Sequence, residues 1–432
     1  MSNDTQDDTP TMKFEVLKAA ITDGSALRLG RLAFSGRRTI DTPNYFAVTS
    51  RGAIPHITPD NVNNHLHTSG VYMALEDCNR RTPATPPSIL PPPRHLHHPV
   101  PPPSPHLFHR HPPSLPTILA ARRLPAVAAP KGNTNTSISI FTSTGFQTLT
   151  PAAYTSALAT LRPDIAIPLS DLPPTLPPSA KRALRMSERT DTWLSDFHLP
   201  SPVPSTSLFA PILPVPLPLQ REYLHTLLLH PTHISGLALY SPSLLPSLLA
   251  LHPTLAPLPR LDLSAPSTPH AILRLLSLGV DAFVLPFINA VSDAGVAMTF
   301  SFPPPSPPTG TQQQQQPLGI DLHAPSHRTS LAPLAEGCTC YACASHHRAY
   351  AHHLLSAREM LGWTLLQIHN HAVVARFFAG VREALGHGTF AEGARRFEEG
   401  YEAEFPAGTG ERPRARGYQT KSEGGRRRRG RG

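Results

Sequence analysis

Three of the four cysteines in this 432-residue chain lie within six positions, and a histidine follows 25 residues later. The run reads Cys-Thr-Cys-Tyr-Ala-Cys from Cys338 to Cys343, and the histidine is His369. Three thiolates and one imidazole form a closed tetrahedral set that suits structural Zn²⁺ and leaves no position for water. The alternative is buried or disulfide-bonded cysteines beside an incidental histidine. Three cysteines cannot all pair with one another, so we predict one structural zinc ion per subunit, bound by Cys338, Cys340, Cys343 and His369.

The segment between the last cysteine and His369 must fold back so that the imidazole reaches the thiolates. Residues 344–367 are rich in Ala, Leu, Arg and His, and their leucines recur near helical spacing. We therefore expect a helix or a helical pair to return His369 to the cysteines. His371 is a rival ligand, but two residues along a helix place the two imidazoles on different sides, so only one can bind the metal. Other rivals in this stretch are His346, His347, His352 and His353.

The 53 prolines are too many for a uniformly packed chain, and they are clustered. Fourteen lie between Pro83 and Pro116, together with six histidines. Because proline lacks a backbone donor and has a fixed φ, this stretch cannot form a helix or an interior strand. We predict an extended, disordered insert over residues 83–118. Its histidines are a compositional hint of metal binding, but a solvated low-complexity loop is the favoured interpretation. A second disordered loop is predicted over residues 303–317, which contain five consecutive glutamines.

The remaining sequence alternates short apolar runs with helical stretches. Residues 137–141 and 165–169 are candidate strands, and residues 151–161 and 269–278 are candidate helices. This alternation indicates an α/β fold with a parallel sheet, and composition alone permits either an open sheet or a barrel. Near the C-terminus an apolar face over residues 372–385 predicts another helix. The aromatic residues that follow it at four-residue intervals belong either to the core or to a partner interface: Phe397, Tyr401 and Phe405.

The net charge of +9 is concentrated at the C-terminus. Residues 406–432 contain eight arginines, one lysine and two glutamates, which gives this segment a net charge of +7. We predict a basic disordered tail over these residues. Such a run attracts phosphate backbones without reading their sequence, although a solvated tail with no ligand is the more ordinary interpretation.

Several short motifs, taken in order, resemble the tRNA-guanine transglycosylase family, also called queuine tRNA-ribosyltransferase. The family's zinc pattern, Cys-x-Cys-x₂-Cys-x₂₅-His, matches here without a gap. The resemblance implies an irregular (β/α)₈ barrel of the TIM type over residues 12–405, with a zinc-binding helical subdomain over residues 336–405 and the functional site at the carboxyl ends of the strands. The other matching segments are Leu29–Ala33, Ser143–Gln147, Leu149–Pro151, Ser235–Ala238 and Gly279–Phe283.

The resemblance also implies a covalent mechanism, in which an Asp carboxylate attacks the ribose and expels guanine before the new base displaces the carboxylate. The position of that nucleophile is Val284 in this chain, and a valine has no lone pair to offer. The second acidic group aligns with Thr142, and the Asp that reads the base aligns with Ser170. The chain therefore resembles a non-catalytic subunit of the family, and we expect neither a catalytic residue nor a cofactor site other than zinc.

From this resemblance we expect a subunit that dimerises with a catalytic queuine tRNA-ribosyltransferase chain. It would support exchange of guanine for queuine at the wobble position of the tRNA anticodon. One alternative is a catalytic base-exchange enzyme with displaced carboxylates, Asp281 and Asp171, although Asp281 should point to the opposite face of its strand from residue 284. Another alternative is a stand-alone, zinc-stabilised RNA-binding protein.

The expected location follows from the N-terminus and from the thiols. The first ten residues are acidic and polar and do not resemble a signal peptide, and no 18-residue apolar run predicts a transmembrane segment. Thiols reserved for a metal fit a reducing cytoplasm. The resemblance adds the outer surface of mitochondria as a second expected location.

Overall fold

In a computed structural model, the described residues are 12–19, 26–78, 111–130, 132–173, 177–200, 203, 205–305 and 315–413. Three predictions fall wholly or partly outside them. Residues 83–110 of the predicted insert, residues 306–314 of the predicted second loop and residues 414–432 of the predicted tail are not among the described residues.

The chain begins with a small antiparallel sheet that packs against one end of a barrel. Its strands are β1 (Met12–Ala19), β2 (Arg28–Phe34) and β3 (Ile40–Thr42), in the order β1-β2-β3. The central strand alternates buried and partly exposed side chains, as expected for a strand with one face on a core. Leu32, Phe34 and Ile40 pack against the apolar side chains inside the barrel, so this sheet covers its N-terminal opening.

Eight parallel strands close the barrel, which confirms the predicted (β/α)₈ architecture. Neighbours in the chain are neighbours in the barrel, and the last strand pairs with the first through Ala282 and Asn44. The strands are β4 (Asn44–Val48), β5 (Val71–Ala74), β6 (Thr117–Ala120), β9 (Ile165–Ala166), β10 (Ser207–Ile212), β11 (Gly236–Leu239), β12 (Arg260–Asp262) and β13 (Ala282–Val284). Two hairpins lie outside the barrel: β7 (Ile138–Thr142) with β8 (Gly145–Leu149), and β14 (Val296–Met298) with β15 (Gly319–Asp321).

Side chains along each strand point alternately into the barrel interior and towards the surrounding helices. In β13, Ala282 and Val284 join the interior cluster, whereas Phe283 packs with the helices outside. In β4, Phe46 and Val48 point inward and Tyr45 points outward. The interior is therefore a packed apolar core, and polar chemistry is confined to the strand ends and the loops.

The helices pack around the barrel and at the C-terminus. Those of the barrel are α1 (Pro59–His65), α2 (Leu75–Cys78), α3 (Pro151–Leu161), α4 (Ala180–Trp193), α5 (Arg221–Leu229), α6 (Leu245–Leu251), α7 (Pro269–Ser277) and α8 (Phe287–Asp293). A π-helical turn (Leu194–His198) follows α4, and short 3₁₀ turns lie at Leu217–Gln220, Pro242–Leu244, Pro253–Leu255 and Pro325–His327. The C-terminal helices are α9 (Tyr341–Ser345), α10 (Arg348–Ser356), α11 (Met360–His387) and α12 (Phe390–Gly400).

Local sequence explains several helix starts. Thr150 and Thr268 accept a hydrogen bond from the backbone N–H three residues later, and a proline follows each of them at the first helical position. That combination satisfies an orphan donor and supplies a preset φ, which is why α3 and α7 begin where they do. Among the described residues, no helix is both long enough and apolar enough to cross a membrane.

The C-terminal boundary of the predicted insert is wrong. Thr117 and Ile118, which were assigned to the insert over residues 83–118, belong to the central strand β6 and are buried. Order extends even further back, because Leu115 and His111 are also buried. The proline cluster is followed by the apolar run Thr117–Ala120, which pairs with β5 on one side and β9 on the other. This pairing makes the run a strand although the preceding residues are rich in proline.

The predicted tail also begins too early. Residues 406–413 lie against the body of the protein, where the backbone N–H and the hydroxyl of Thr409 both donate to Asp321 Oδ2, at 3.1 and 2.6 Å. Gly408 approaches the backbone of Ala294, and Gly410 lies so close to the His323 ring that a Cβ at either position would collide. Of the three late aromatics, Phe397 and Tyr401 are buried and Phe405 packs against the same cluster, so they belong to the core.

Candidate metal centre and barrel mouth

Three C-terminal helices bring the cysteines and His369 together, as predicted. Cys338 lies in the loop before α9, Cys340 immediately precedes that helix, and Cys343 lies in its first turn. The chain then passes through α10 and returns along α11, a helix of 28 residues that carries His369 near its middle. The helical pair expected from the leucine spacing is therefore the element that closes the cluster.

The four donor atoms converge on one point. His369 Nδ1 lies 3.7, 3.6 and 3.3 Å from the Sγ atoms of Cys338, Cys340 and Cys343. All four atoms lie within 4.8 Å of one another, so the group could hold a metal ion. Tetrahedral Zn²⁺ with Zn–S and Zn–N bonds of about 2.3 and 2.0 Å requires N–S separations of about 3.6 Å. The donor set and its spacing therefore fit zinc.

The second nitrogen of His369 orients the ring. Nε2 lies 2.8 Å from the carbonyl oxygen of Met298, and the ring is completely buried. A carbonyl can only accept, so this contact places the ring proton on Nε2 and leaves Nδ1 free as a ligand. Asn370 reinforces the arrangement: its Oδ1 accepts a hydrogen bond from the Met298 backbone N–H, and its amide donates to Ser292 Oγ and to the Val296 carbonyl.

The rival histidines make other contacts. His371 lies on a different side of α11 and places Nδ1 3.0 Å from the hydroxyl of Tyr45, and burial lowers its pKa to about 3. His347 Nδ1 accepts the backbone N–H of Tyr350 at the start of α10, and His346 stacks on the Tyr350 ring. His352 Nδ1 lies 2.8 Å from the Leu322 carbonyl. Among the described residues, the group of side chains that could hold a metal ion consists of Cys338, Cys340, Cys343 and His369.

The close approach of the donors alters their proton affinities. Burial alone would lower the pKa of His369, but hydrogen bonds with Cys338 and Cys343 raise that pKa to about 9. The same kind of contact, with Cys340 and Cys343, lowers the pKa of Cys338. Four donors in this space share protons when no cation is present, and a divalent cation would replace those protons.

Three side chains near the carboxyl ends of the barrel strands align with the family's carboxylate positions in the sequence analysis: Val284, Thr142 and Ser170. Val284 ends β13 and is fully buried among apolar side chains of the barrel interior. The Thr142 hydroxyl donates to the Gly145 carbonyl within its own hairpin. Ser170 is buried and hydrogen-bonds the phenol of Tyr240, whose pKa is raised by burial. None of these three side chains carries a carboxylate.

Asp171 is a carboxylate at this end of the barrel, and both of its oxygens are bonded to arginines. Asp171 Oδ1 accepts from Arg182 at 2.6 Å and Oδ2 from Arg189 at 2.9 Å. The Asn133 amide also donates to Oδ1, and Asn133 Oδ1 accepts from Arg122. The Asp171 side chain is completely buried. In this network the negative charge of Asp171 is compensated by Arg182 and Arg189.

Asp281, the other residue considered as a displaced nucleophile, lies at the opposite end of the barrel. It precedes β13, and both of its carboxylate oxygens accept hydrogen bonds from Arg28, at 2.8 and 2.6 Å. Oδ2 also accepts the backbone N–H of Arg260. The hypothesis of catalysis by Asp281 and Asp171 is therefore wrong on geometry, because one lies at the N-terminal end of the strands and both are buried in ion pairs.

Two cavities lie at this end of the barrel among the described residues, and one of about 100 Å³ is lined by residues that include Arg122, Asn133 and Arg182. A cavity of about 30 Å³ lies among Tyr72, Arg122, Ser170 and Tyr240. The Tyr72 hydroxyl donates to the Arg122 carbonyl at 2.6 Å, and burial lowers the pKa of the Arg122 guanidinium. A cavity of this size holds about one water molecule.

Comparison with known proteins identifies the family of this chain. The family model described as queuine tRNA-ribosyltransferase matches residues 23–403. The chain belongs to the queuine tRNA-ribosyltransferase family. Among its relatives in this family is the protein of Schizosaccharomyces pombe named queuine tRNA-ribosyltransferase accessory subunit 2, which is 37% identical over 394 residues, or 88% of this chain and 83% of that protein.

Two further relatives carry the same name. The protein of Drosophila mojavensis is 26% identical over 399 residues, which cover 87% of this chain and 89% of that protein. The human protein is 35% identical over 152 residues, which cover 29% of this chain and 36% of that protein. The queuine tRNA-ribosyltransferase relatives described here are thus named as accessory subunits.

The sequence analysis missed two groups of residues. The Arg122, Asn133 and Asp171 network joins segments that no motif connects, so only the folded chain reveals it. Arg376 and Arg382 of α11 flank a groove beside the cysteine loop. The sequence signal was present there, since alanines occupy positions 372, 375 and 379 on a helix otherwise rich in large side chains, and small side chains leave room at a helix surface.

Proposed function

We propose that this chain is the non-catalytic subunit of a heterodimeric queuine tRNA-ribosyltransferase. Exchange of guanine for queuine at the wobble position of the tRNA anticodon would take place in the catalytic partner. The proposal is supported by Val284, Thr142 and Ser170, which occupy the positions where the resemblance to the family would place carboxylates. Covalent attack on a ribose requires an ionised carboxylate with access to the substrate, and the mouth described here offers none.

The small cavity beside Ser170 supports the same proposal. Its volume of about 30 Å³ suits one water molecule rather than a purine. Arg122 occupies the space together with Tyr72 and Tyr240, and Asp171 is held by two arginines instead of facing the cavity. Opening this mouth for a base would break a buried ion-pair network, which typically costs several kcal/mol.

Exposed apolar side chains support a partner surface on the C-terminal helices. Ten large hydrophobic residues are exposed among the described residues, and four of them lie between positions 331 and 361. They are Leu331, Tyr341, Met360 and Leu361, with exposed fractions of 77, 43, 55 and 43%. Exposed side chains of this kind are available to contact a partner. We assign this surface to the catalytic subunit, because a protein named as an accessory subunit implies a chain that it assists.

The cysteine cluster would hold one structural Zn²⁺ through Cys338, Cys340, Cys343 and His369. When bound, the ion cross-links the loop before α9 to the middle of α11. The chain's own residues prepare the site, since the Met298 carbonyl fixes the His369 tautomer and Asn370 fastens α11 to β14. Because four protein ligands complete a tetrahedron, the site supports the fold of the C-terminal helices and leaves no position for a reacting water.

The decisive experiment measures incorporation of labelled guanine or queuine into tRNA by this chain alone, by the catalytic chain alone and by their mixture. We expect exchange in the mixture and none from this chain alone. Exchange by this chain alone, or a covalent adduct with tRNA trapped in a denaturing gel, would overturn the proposal. Failure to co-purify with the catalytic chain, with tRNA binding retained, would favour a stand-alone RNA-binding protein.

We also propose a cytoplasmic location. The alternative is a protein attached to the outer surface of mitochondria. The free thiols of the cysteine cluster support a reducing compartment. Fluorescence microscopy of the tagged chain, combined with protease treatment of isolated mitochondria, distinguishes the two. A signal protected from protease inside an organelle would contradict both.

A further inference from the structure

A groove of about 370 Å³ lies on the outer flank of the barrel, between α11 and the loop that follows α1. It is lined by three alanines of α11, by Arg376 and Arg382 of the same helix, and by four residues of other segments: Asn44, His67, Thr339 and Cys340. The groove is distinct from the barrel mouth, with which it shares no residue.

The two guanidinium groups in the groove have no acidic partner among the described residues. Arg376 donates only to the Gly337 carbonyl, at 3.3 Å, and Arg382 only to the Pro43 carbonyl, at 2.8 Å. Burial lowers the pKa of Arg382 while the charge of Asp41 raises it, but Asp41 itself is hydrogen-bonded to Arg31. Each guanidinium has five N–H donors, so most of their donors remain available.

The charge of the groove is positive. No Asp or Glu lines it, and Cys340 is among the lining residues. Three thiolates around Zn²⁺ would sum to one negative charge, which the two guanidiniums exceed. Planar guanidinium forks bind phosphate oxygens in pairs, and an apolar, shallow floor allows a sugar–phosphate backbone to lie along the helix.

We infer that this groove binds the phosphate backbone of an RNA, with Arg376 and Arg382 as the phosphate contacts. The inference rests on the proposed function, in which the complex handles tRNA, and adds a contact surface to it. An acidic peptide of a partner protein is the competing occupant. The RNA is favoured because the large exposed apolar side chains that anchor protein interfaces are absent from the residues lining the groove.

The test measures how tRNA binding to the full-length chain depends on salt. Binding of an unmodified tRNA transcript is followed by fluorescence anisotropy between about 50 and 300 mM KCl. The double variant Arg376→Gln/Arg382→Gln should lower the slope of log K against log salt by about 1.4 to 1.8, because each lost phosphate contact removes about 0.7 to 0.9. Thermal melting of each variant verifies that the chain remains folded.

Two further variants serve as matched controls. Arg376→Lys/Arg382→Lys keeps both charges, so it should keep the slope while weakening binding through loss of the planar fork. Arg221→Gln/Arg395→Gln removes the same net charge from two exposed arginines that are paired with glutamates, and it should leave the slope unchanged.

An unchanged slope in the Gln double variant, or no tRNA binding by the unmodified chain at about 50 mM salt, overturns the inference. An unchanged slope with weakened capture of the catalytic chain would assign the groove to an acidic segment of that partner. If the unmodified chain fails to assemble with the catalytic chain, the proposed function fails. The salt dependence of the isolated chain still decides whether the groove binds RNA.

Discussion

The cysteine cluster and the barrel mouth are both polar sites assembled from distant segments, but their groups are satisfied in opposite ways. At the cluster, four donor atoms face a common centre, and the second nitrogen of His369 already has its partner in Met298. At the mouth, the charged groups face one another: Asp171 is held by Arg182 and Arg189, and Arg122 is bonded to Asn133 and to the Ser139 carbonyl. Donor atoms that converge on one point favour a ligand, whereas charges that compensate one another favour a structural role.

The two ends of the barrel extend the comparison. The N-terminal end holds the buried Arg28–Asp281 pair and the C-terminal end holds the Asp171 network, so both ends use carboxylates to tie the chain together. In a barrel that carries out chemistry at the strand ends, we would expect an uncompensated carboxylate at the C-terminal end. At that end Asp171 is compensated by two arginines, whereas Asp262, the last residue of β12, is completely buried and its Oδ2 has no hydrogen-bond partner.

The largest expected effect is at the cysteine cluster. Cys340→Ala removes one of four ligands, and because apparent binding energies of structural zinc reach about 10–16 kcal/mol, we expect loss of zinc and melting of the C-terminal helices. Metal content by mass spectrometry and thermal unfolding would measure this. Cys78→Ser, which changes the cysteine outside the cluster, should retain one zinc per chain. Full zinc content in Cys340→Ala would exclude the proposed centre.

The next effect is at the N-terminal end of the barrel. Asp281→Ala leaves Arg28 buried without a carboxylate, so unfolding free energy should fall by about 3–5 kcal/mol. Asp41→Ala, which breaks the exposed pair with Arg31, should cost less than about 1 kcal/mol. Chemical denaturation of both variants provides the comparison. If Asp281→Ala kept its stability but abolished exchange by the complex, Asp281 would belong to the chemistry and the comparison of the two ends would fail.

A smaller, pH-dependent effect is expected at Asp262. Burial raises the pKa of this carboxyl from 3.8 to about 6, and its Oδ2 has no hydrogen-bond partner. The unfolded chain therefore loses this proton first as pH rises, and the folded state should lose about 3 kcal/mol of stability between about pH 4 and pH 6. In Asp262→Asn this loss should vanish.

The Asp262 prediction is measured as the difference in unfolding free energy between the variant and the unmodified chain at several pH values. Taking the difference cancels zinc release and other titrations common to both proteins. Asp60→Asn, at an exposed position in α1, is the matched control and should show a difference that does not vary in this way. A constant difference for Asp262→Asn would show that the carboxyl is ionised without penalty.

The smallest effect is expected where the C-terminal segment lies on the protein body. Thr409→Val removes the hydroxyl that donates to Asp321 and should cost about 1 kcal/mol. The change should appear as faster hydrogen exchange or proteolysis around residues 406–413, with the cysteine cluster unaffected. Thr192→Val, on an exposed turn of α4, provides the control. Equal protection in both variants would mean that Thr409 does not hold this segment in place.

Much of the fold could be predicted because the signals were repeated along the chain. Strand–helix alternation indicated a parallel sheet, and the ordered motifs supported a barrel. The insert boundary was wrong because prolines between Pro83 and Pro116 were weighed without the apolar run that follows them, whose pairing with two neighbouring strands decides its structure. The tail boundary was wrong because composition describes charge and not contacts such as that of Thr409 with Asp321.

The sequence by itself determined the identity of the four metal-ligating side chains and the absence of carboxylates at Val284, Thr142 and Ser170, because both are properties of residue type and spacing. Only the tertiary structure decided that Asp281 is paired with Arg28, that Asp171 is neutralised by two arginines, and that Arg376 and Arg382 share a groove without an acidic partner among the described residues. These facts depend on where the chain brings side chains far apart in sequence, and burial and charge compensation act between atoms in space.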